Sequence, residues 1–352
     1  MRNFIKFSHI RQIMLWTQWF SRWELRAIFA VEALWYGDYR LRWLLWPIAL
    51  MMQAMSRLRR YYLQKIQPSL TVPIIVVGNI SVGGVGKTPL VIALAERLVL
   101  QGLRVGIVSR GYGAALRVFP HEVMPTDTAR QVGDEPKLIA MKTQCPVVIA
   151  PQRLQAVRYL IATHACQVII SDDGLQHYAM PRQIEIVVVD GKRAFGNGLC
   201  LPAGPLRESL KRLQQVDFIV INGTMSAQDL RAVTNKPIYH MDMVTHLPVS
   251  LQTHTPVAWS TLDTPLSVVA AIGHPERFFA LFDRLSMAHQ TYRFPDHHVY
   301  AAEELTALKP PIVMTEKDAV KCGDFGIKSM YYVPVEAKLS EEFWTKLYSY
   351  IL

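Results

Sequence analysis

The segment Gly78-Asn79-Ile80-Ser81-Val82-Gly83-Gly84-Val85-Gly86-Lys87-Thr88-Pro89 constrains this chain more than any other feature. It follows an apolar run, Ile74–Val77, and precedes a stretch of helix formers, Leu90–Leu100. Glycines let successive backbone N–H groups curl around phosphate oxygens, and a helix N-terminus behind them adds its dipole. In this strand–loop–helix setting Lys87 is expected to reach the β/γ-phosphates of a nucleotide, and the Thr88 hydroxyl to ligate Mg²⁺. Ser81, Val82, Gly83, Gly84, Val85, Gly86, Lys87 and Thr88 are therefore the expected ATP-binding loop. Ser81 stands where the general G-x-x-x-x-G-K-T pattern has its first glycine.

A phosphate loop needs a sheet behind it, and the chain supplies one. Short β-branched runs recur at Arg104–Val108, Val147–Ala150, Val168–Ile170, Ile184–Val189 and Phe218–Ile221, with helical stretches such as Arg153–Thr163 between them. Buried apolar strands alternating with helices predict an α/β fold of the P-loop NTPase kind, a mostly parallel sheet with helices on both faces. A further set, Val268–Ile272, Pro311–Met314 and Met330–Val335, predicts a smaller C-terminal α/β unit. The Thr-, Pro-, Ser- and His-rich stretch Leu247–Pro265 reads as the linker. The expected organisation is a leader over 1–70, a nucleotide-binding domain over 71–245 and a smaller domain over 246–352.

The leader explains the charge. The chain of 352 residues carries a net +10, which alone would suggest a nucleic-acid binder. Residues 1–70, however, hold 11 basic and 3 acidic residues, leaving 27 against 25 for the remainder. Six of the eight tryptophans lie there as well: Trp16, Trp19, Trp23, Trp35, Trp43 and Trp46. Apolar residues from Ile10 to Trp35 recur near helical spacing with Arg11, Arg22 and Arg26 between them, a basic amphipathic helix. Trp43–Met55 is nearly continuously apolar, flanked by Arg40 and Arg42 before and by Arg57, Arg59 and Arg60 after. Thirteen residues fall short of the ~20 needed to cross a hydrocarbon core, and Pro47 interrupts them. The expectation is an interfacial helix on an anionic membrane surface, with a span open if the helix runs from about Leu41 toward Tyr62. A nucleic-acid partner is not expected. The four cysteines, Cys145, Cys166, Cys200 and Cys322, are far apart and propose neither zinc nor disulfide chemistry.

Other motifs are weaker individually. Ile169–Ser171 leads into Asp172-Asp173-Gly174-Leu175-Gln176-His177, and an acid at the end of an apolar strand can hold the Mg²⁺ of a phosphate-loop site. Asp172 and Asp173 should point to different sides. Gly133-Asp134-Glu135-Pro136 reads as a helix cap. Phe294-Pro295-Asp296-His297-His298 pairs histidines with an acid and could bind metal or deprotonate a hydroxyl. Ser109-Arg110-Gly111-Tyr112-Gly113, Leu201–Glu208 and Thr315-Glu316-Lys317-Asp318 read singly as turns.

In order, these motifs resemble the tetraacyldisaccharide 4′-kinase family, the lipid A 4′-kinases, from about residue 35 to the end. In that family Ser or Thr is usual at the Ser81 position. The resemblance implies transfer of the ATP γ-phosphoryl group to the 4′-hydroxyl of a tetraacylated glucosamine disaccharide 1-phosphate, at the cytoplasmic face of the bacterial inner membrane. It implies a catalytic dyad of Asp134 and His297, with Asp134 orienting the imidazole that takes the sugar proton. It makes Thr88, Glu135, Asp172 and Asp173 candidates for the Mg²⁺ shell, and places Arg110, Tyr112, Arg153, Gln176, Arg207 and Glu208 around nucleotide or substrate. It implies the lipid disaccharide and the inner membrane surface as partners, and no obligate protein partner. Residues 1 to about 34 exceed the usual family start, which reads as an extension or as an upstream start with Met14 as the alternative.

The rival reading is a membrane-associated P-loop NTPase switch or chaperone of the partition or metal-insertion type. The extra loop lysine of such ATPases would fall at Val82, and a water-activating switch has no evident need of the His297 motif.

Overall fold

The computed structural model describes residues 31–37 and 42–351. The helix expected over Ile10–Trp35 lies outside the described residues except for the helical turn ending it, 31–36. Two compact units are distinguished: residues up to Leu58 with Phe195–Ser209, and Arg59–Ala194 with Leu210–Leu352.

The second unit holds both sheets. The larger runs in the order β14-β8-β7-β6-β1-β5-β2-β4-β3. Its strands are β1 (Ile74–Gly78), β2 (Val105–Ser109), β3 (His121–Glu122), β4 (Val147–Ile149), β5 (Val168–Ser171), β6 (Ile184–Asp190), β7 (Phe218–Asn222), β8 (Ile238–Thr245) and β14 (Val335–Leu339). Every neighbouring pair is parallel except the two outer ones, β14 with β8 and β3 with β4. The central strands are fully buried, which is why they read as unbroken apolar runs. The Lys87–Leu100 helix buries Leu90, Val91, Leu94 and Leu98 against them.

The smaller sheet has the order β11-β10-β12-β13-β9, from β9 (Val249–Ser250), β10 (Leu266–Ala270), β11 (His289–Arg293), β12 (Ile312–Thr315) and β13 (Met330–Val333). It is parallel apart from β9. One face packs Phe278, Leu281 and Phe282 of the Pro275–Arg284 helix, and the other packs Tyr300 and Leu305. The stretch read as a linker thus contributes β9, an edge strand. The chain also leaves the small sheet after β13: β14 pairs with β8, and the Glu341–Ile351 helix sets Phe343 against Phe218 and Tyr239 of the large sheet. Cross-sheet pairing of this kind has no signature in local periodicity.

In the first unit, Asn197 Nδ2 donates to the carbonyls of Leu34 (3.1 Å) and Ala203 (2.9 Å), and Trp35 Nε1 to that of Pro202 (3.2 Å). The Arg42–Lys65 helix continues past Pro47, whose missing N–H costs a single backbone bond. Of its residues only Ala49 is buried, whereas Trp43, Leu44, Ile48, Met51, Met55 and Leu58 are exposed. Among the described residues no helix is long and apolar enough to cross a membrane. Within the stretch considered for a span, the helix carries Arg57, Arg59 and Arg60.

Candidate active site

The phosphate loop leaves β1 and ends at the Lys87–Leu100 helix, with Gly86 as its N-cap at φ 93°. A side chain there would be strained, and its Cβ would lie 2.5 Å from Asn222 Nδ2. That amide donates instead to Val85 O at 2.9 Å, so the polar end of β7 holds the loop. Asn79 shapes it from within, donating to Ser81 O at 2.6 Å and accepting from Lys87 Nζ at 3.2 Å. Ser81 is buried and Thr88 half-buried in the first helical turn.

Strand order explains the next contact. β5 lies beside β1, so the Asp172-Asp173 turn emerges next to the loop, and Asp173 Oδ1 lies 3.3 Å from Lys87 Nζ. The two acids do face different surroundings. Asp172 is buried, its Oδ1 has no hydrogen-bonding partner among the described residues, and burial together with the Asp173 charge pushes its carboxyl up to about 7. Asp173 adopts φ 47°, a left-handed conformation that a short polar side chain tolerates. Arg153 is buried beneath the turn, where Nη2 donates to the carbonyls of Asp172 (3.0 Å) and Asp173 (2.8 Å). Gln176 Nε2 donates to Asn79 O at 3.0 Å. Both side chains therefore brace the turn and loop.

The small sheet brings a second set of groups to this loop. A Cβ on Gly273, just beyond β10, would lie 2.9 Å from Gly84 N and 3.4 Å from Asp296 Oδ2. Next to Asp296 is His297, at φ 62°, another backbone held in an uncommon region. Its Nδ1–H donates to Asp134 Oδ2 at 3.1 Å, and its Nε2 lies 3.6 Å from Glu135 Oε1. Because a carboxylate only accepts, this bond fixes the tautomer and leaves Nε2 as the basic nitrogen. Burial would raise the Asp134 carboxyl, but His297, Lys321 and Lys317 outweigh it and hold it below its ordinary value. The Asp134 bond in turn lifts His297 against its own desolvation. Tyr112, 66% exposed, sets its ring edge-on to His297 at 5.5 Å. His298 turns away to Glu304 (3.0 Å) and stacks on Phe294, a structural role.

The residues carried from the motifs thus gather as Lys87, Asp172, Asp173, Asp134, Glu135, His297 and Tyr112, while Arg110 is exposed at the end of β2. Arg207 and Glu208 belong to the first unit, where both are half-buried. Sequence reasoning missed Asn79, Asn222, Lys317 and Lys321. A polar residue closing an apolar strand was the available signal for Asn222. Among the described residues, no three His, Cys, Asp or Glu side chains form a self-sufficient metal site. The orphaned Asp172 oxygen nevertheless fits a cation whose other ligands are phosphate, hydroxyl and water, the usual Mg²⁺ arrangement.

A sequence profile described as LpxK, tetraacyldisaccharide-1-P 4′-kinase, matches residues 41–352. Tetraacyldisaccharide 4′-kinase of Legionella pneumophila (strain Lens) is 48% identical over 323 residues, covering 92% of this chain and 97% of that one. The Hahella chejuensis protein of the same name is 44% identical over 338 residues, covering 90% and 95%. Among solved structures, the "apo" form of LpxK from Aquifex aeolicus in complex with ATP superposes with a TM-score of 0.73 at 26% identity, over 89% of this chain and all of that one.

Proposed function

Because the chain belongs to the tetraacyldisaccharide-1-P 4′-kinase family, we propose that it transfers the γ-phosphoryl group of ATP to the 4′-hydroxyl of a tetraacylated glucosamine disaccharide 1-phosphate, a step of lipid A biosynthesis. The observation that carries this reading is the approach of Gly273 to both Gly84 and Asp296, which sets the His297 loop against the phosphate loop. A nucleotide held by one sheet then meets a proton acceptor held by the other.

In this reading Ser81–Thr88 cradle the phosphates, and Lys87 neutralises charge on the transferred group. His297 Nε2 takes the 4′-hydroxyl proton as the sugar oxygen bonds to the γ-phosphorus and the bond to the β,γ-bridging oxygen breaks, releasing ADP. Asp134 keeps the imidazole in the required tautomer and stabilises its positive charge. Thr88 and Asp172, with Asp173 and Glu135 nearby, are the residues that would hold Mg²⁺, which when bound neutralises the phosphate oxygens. Tyr112 flanks His297 on the side open to an acceptor. Arg110, Arg207 and Glu208 are assigned to nucleotide or substrate through the family motif.

The exposed apolar residues of the Arg42–Lys65 helix support a position on a lipid surface. Arg42 lies over the Trp43 ring at 5.6 Å, pairing cation and aromatic as headgroup contacts require. Since ATP is the donor, that surface is the cytoplasmic face of the inner membrane.

The test is phosphoryl transfer from radiolabelled ATP with Mg²⁺, with and without tetraacyldisaccharide 1-phosphate. Labelled lipid, and phosphate release that depends strictly on the acceptor, are expected. Equal phosphate release without acceptor would instead identify a nucleotide-driven switch.

A further inference from the structure

We propose that Lys317 and Lys321 are positioning residues for phosphoryl transfer, a two-pronged clamp that holds the Asp134-Glu135 pair against the His297 loop. The proposal rests on the dyad reading above. Lys321 Nζ lies 3.4 Å from Asp134 Oδ2, the same oxygen that accepts from His297, and 2.9 Å from Asp318 Oδ1. Lys317 Nζ lies 2.6 Å from Glu135 Oε1 and 3.5 Å from Asp296 Oδ1. Each lysine thus ties one acid at the start of the Asp134–Thr143 helix to one acid on the small-sheet side.

The clamp has a rigid base. Asp318 is fully buried, and its Oδ2 accepts from Ala271 N (3.0 Å) and from the Thr315 hydroxyl (2.6 Å), locking it to the ends of β10 and β12. The Lys321 side chain is 5% exposed and lies 5.5 Å from the Tyr300 ring centre, so it has little freedom to leave. Further along, Lys142 pairs with Glu316 at 2.9 Å. Glu316, Lys317 and Lys321 therefore meet Lys142, Glu135 and Asp134 in an alternating seam along one helix. Partly buried pairs of this kind are poor sources of net stability, because desolvation offsets much of the attraction, but they fix geometry. Geometry matters here: a ~1 Å displacement of a catalytic group can cost about 10² in rate. Without Lys321, Asp134 Oδ2 keeps, among the described residues, only the His297 contact to hold its orientation.

The experiment measures kcat and both KM values on the full chain with ATP, Mg²⁺ and tetraacyldisaccharide 1-phosphate. Lys321→Met and Lys317→Met are expected to lower kcat by about 10- to 100-fold with KM values within about twofold, and Lys317→Arg to recover most of the loss. Melting curves run alongside. Should Lys321→Met fail to fold around Asp318, Lys317→Met, which leaves that acid paired, decides alone. Folded lysine variants with kcat within about threefold of the parent, a change confined to KM, or no recovery by arginine overturns the clamp. His297→Ala and Asp134→Asn are assayed in parallel. Their inactivity beside active lysine variants removes the clamp only, whereas full turnover by both removes the dyad reading and the clamp with it.

Discussion

At the scale of single residues, the imidazole and the carboxylate have separable roles. Lys87 and the loop amides hold the nucleotide, whereas His297 and Asp134 act on the acceptor. Removing either member of the pair should therefore lower kcat by roughly 10² to 10⁴ while ATP affinity changes little. Lys87→Ala, by contrast, should weaken ATP binding itself. Steady-state kinetics with fluorescent-nucleotide titration separates the two, and a dyad variant that retains turnover but loses ATP would reverse the assignment. Lys87, Asp172 and Asp173 were legible in the sequence because phosphate chemistry demands glycines, a lysine and strand-end acids at fixed spacing. The dyad was not legible from spacing, since 163 residues separate its members, and it came only through the resemblance of ordered motifs. Lys317 and Lys321 escaped notice because a T-E-K-D turn at a strand end reads as ordinary capping, and only the fold reveals which acids face it.

At the scale of elements, the apolar strands were legible to within about two residues, as with Ile184–Val189 read and Ile184–Asp190 formed, or Val268–Ile272 read and Leu266–Ala270 formed. β8 and β14 were not, because both are half-exposed and mix polar with apolar residues, and β11 (HQTYR) has no apolar run at all. The Arg42–Lys65 helix has the opposite character, with many apolar side chains left exposed, Leu44 at 73% and Met51 at 58% among them. If those side chains enter a lipid interface, Leu44→Ser with Met51→Ser removes two contacts worth about 1.5–3 kcal/mol each at full burial. Binding to vesicles of anionic phospholipid, read by sedimentation, should then weaken by at least about tenfold. Unchanged sedimentation would show that this helix face does not touch lipid.

At the scale of the whole molecule, two parallel sheets present the carboxyl ends of their strands to one site, β1 and β5 from one and β10 and β12 from the other. Ligands of open α/β sheets bind at such edges, and the arrangement concentrates cations as well as acids there. His177 lies within it. Burial and the nearby charges of Arg153, Arg182, Arg59 and Arg110 hold its imidazole down to about 4. An unfolded chain would take up a proton near the ordinary value of about 6.5. Above that pH the group is neutral in both states and favours neither. As pH falls from about 6.5 toward about 4, only the unfolded chain gains the proton, so stability falls across that window. Asp134, whose folded value is depressed, adds to acid loss only below the ordinary carboxylate range. His177→Gln removes the first contribution and leaves the second. Its melting temperature should therefore decline less than that of the parent between pH 7 and pH 4.5, the curves running parallel above pH 7. Equal declines through that interval would mean that His177 is as free to protonate in the folded enzyme as in the unfolded chain.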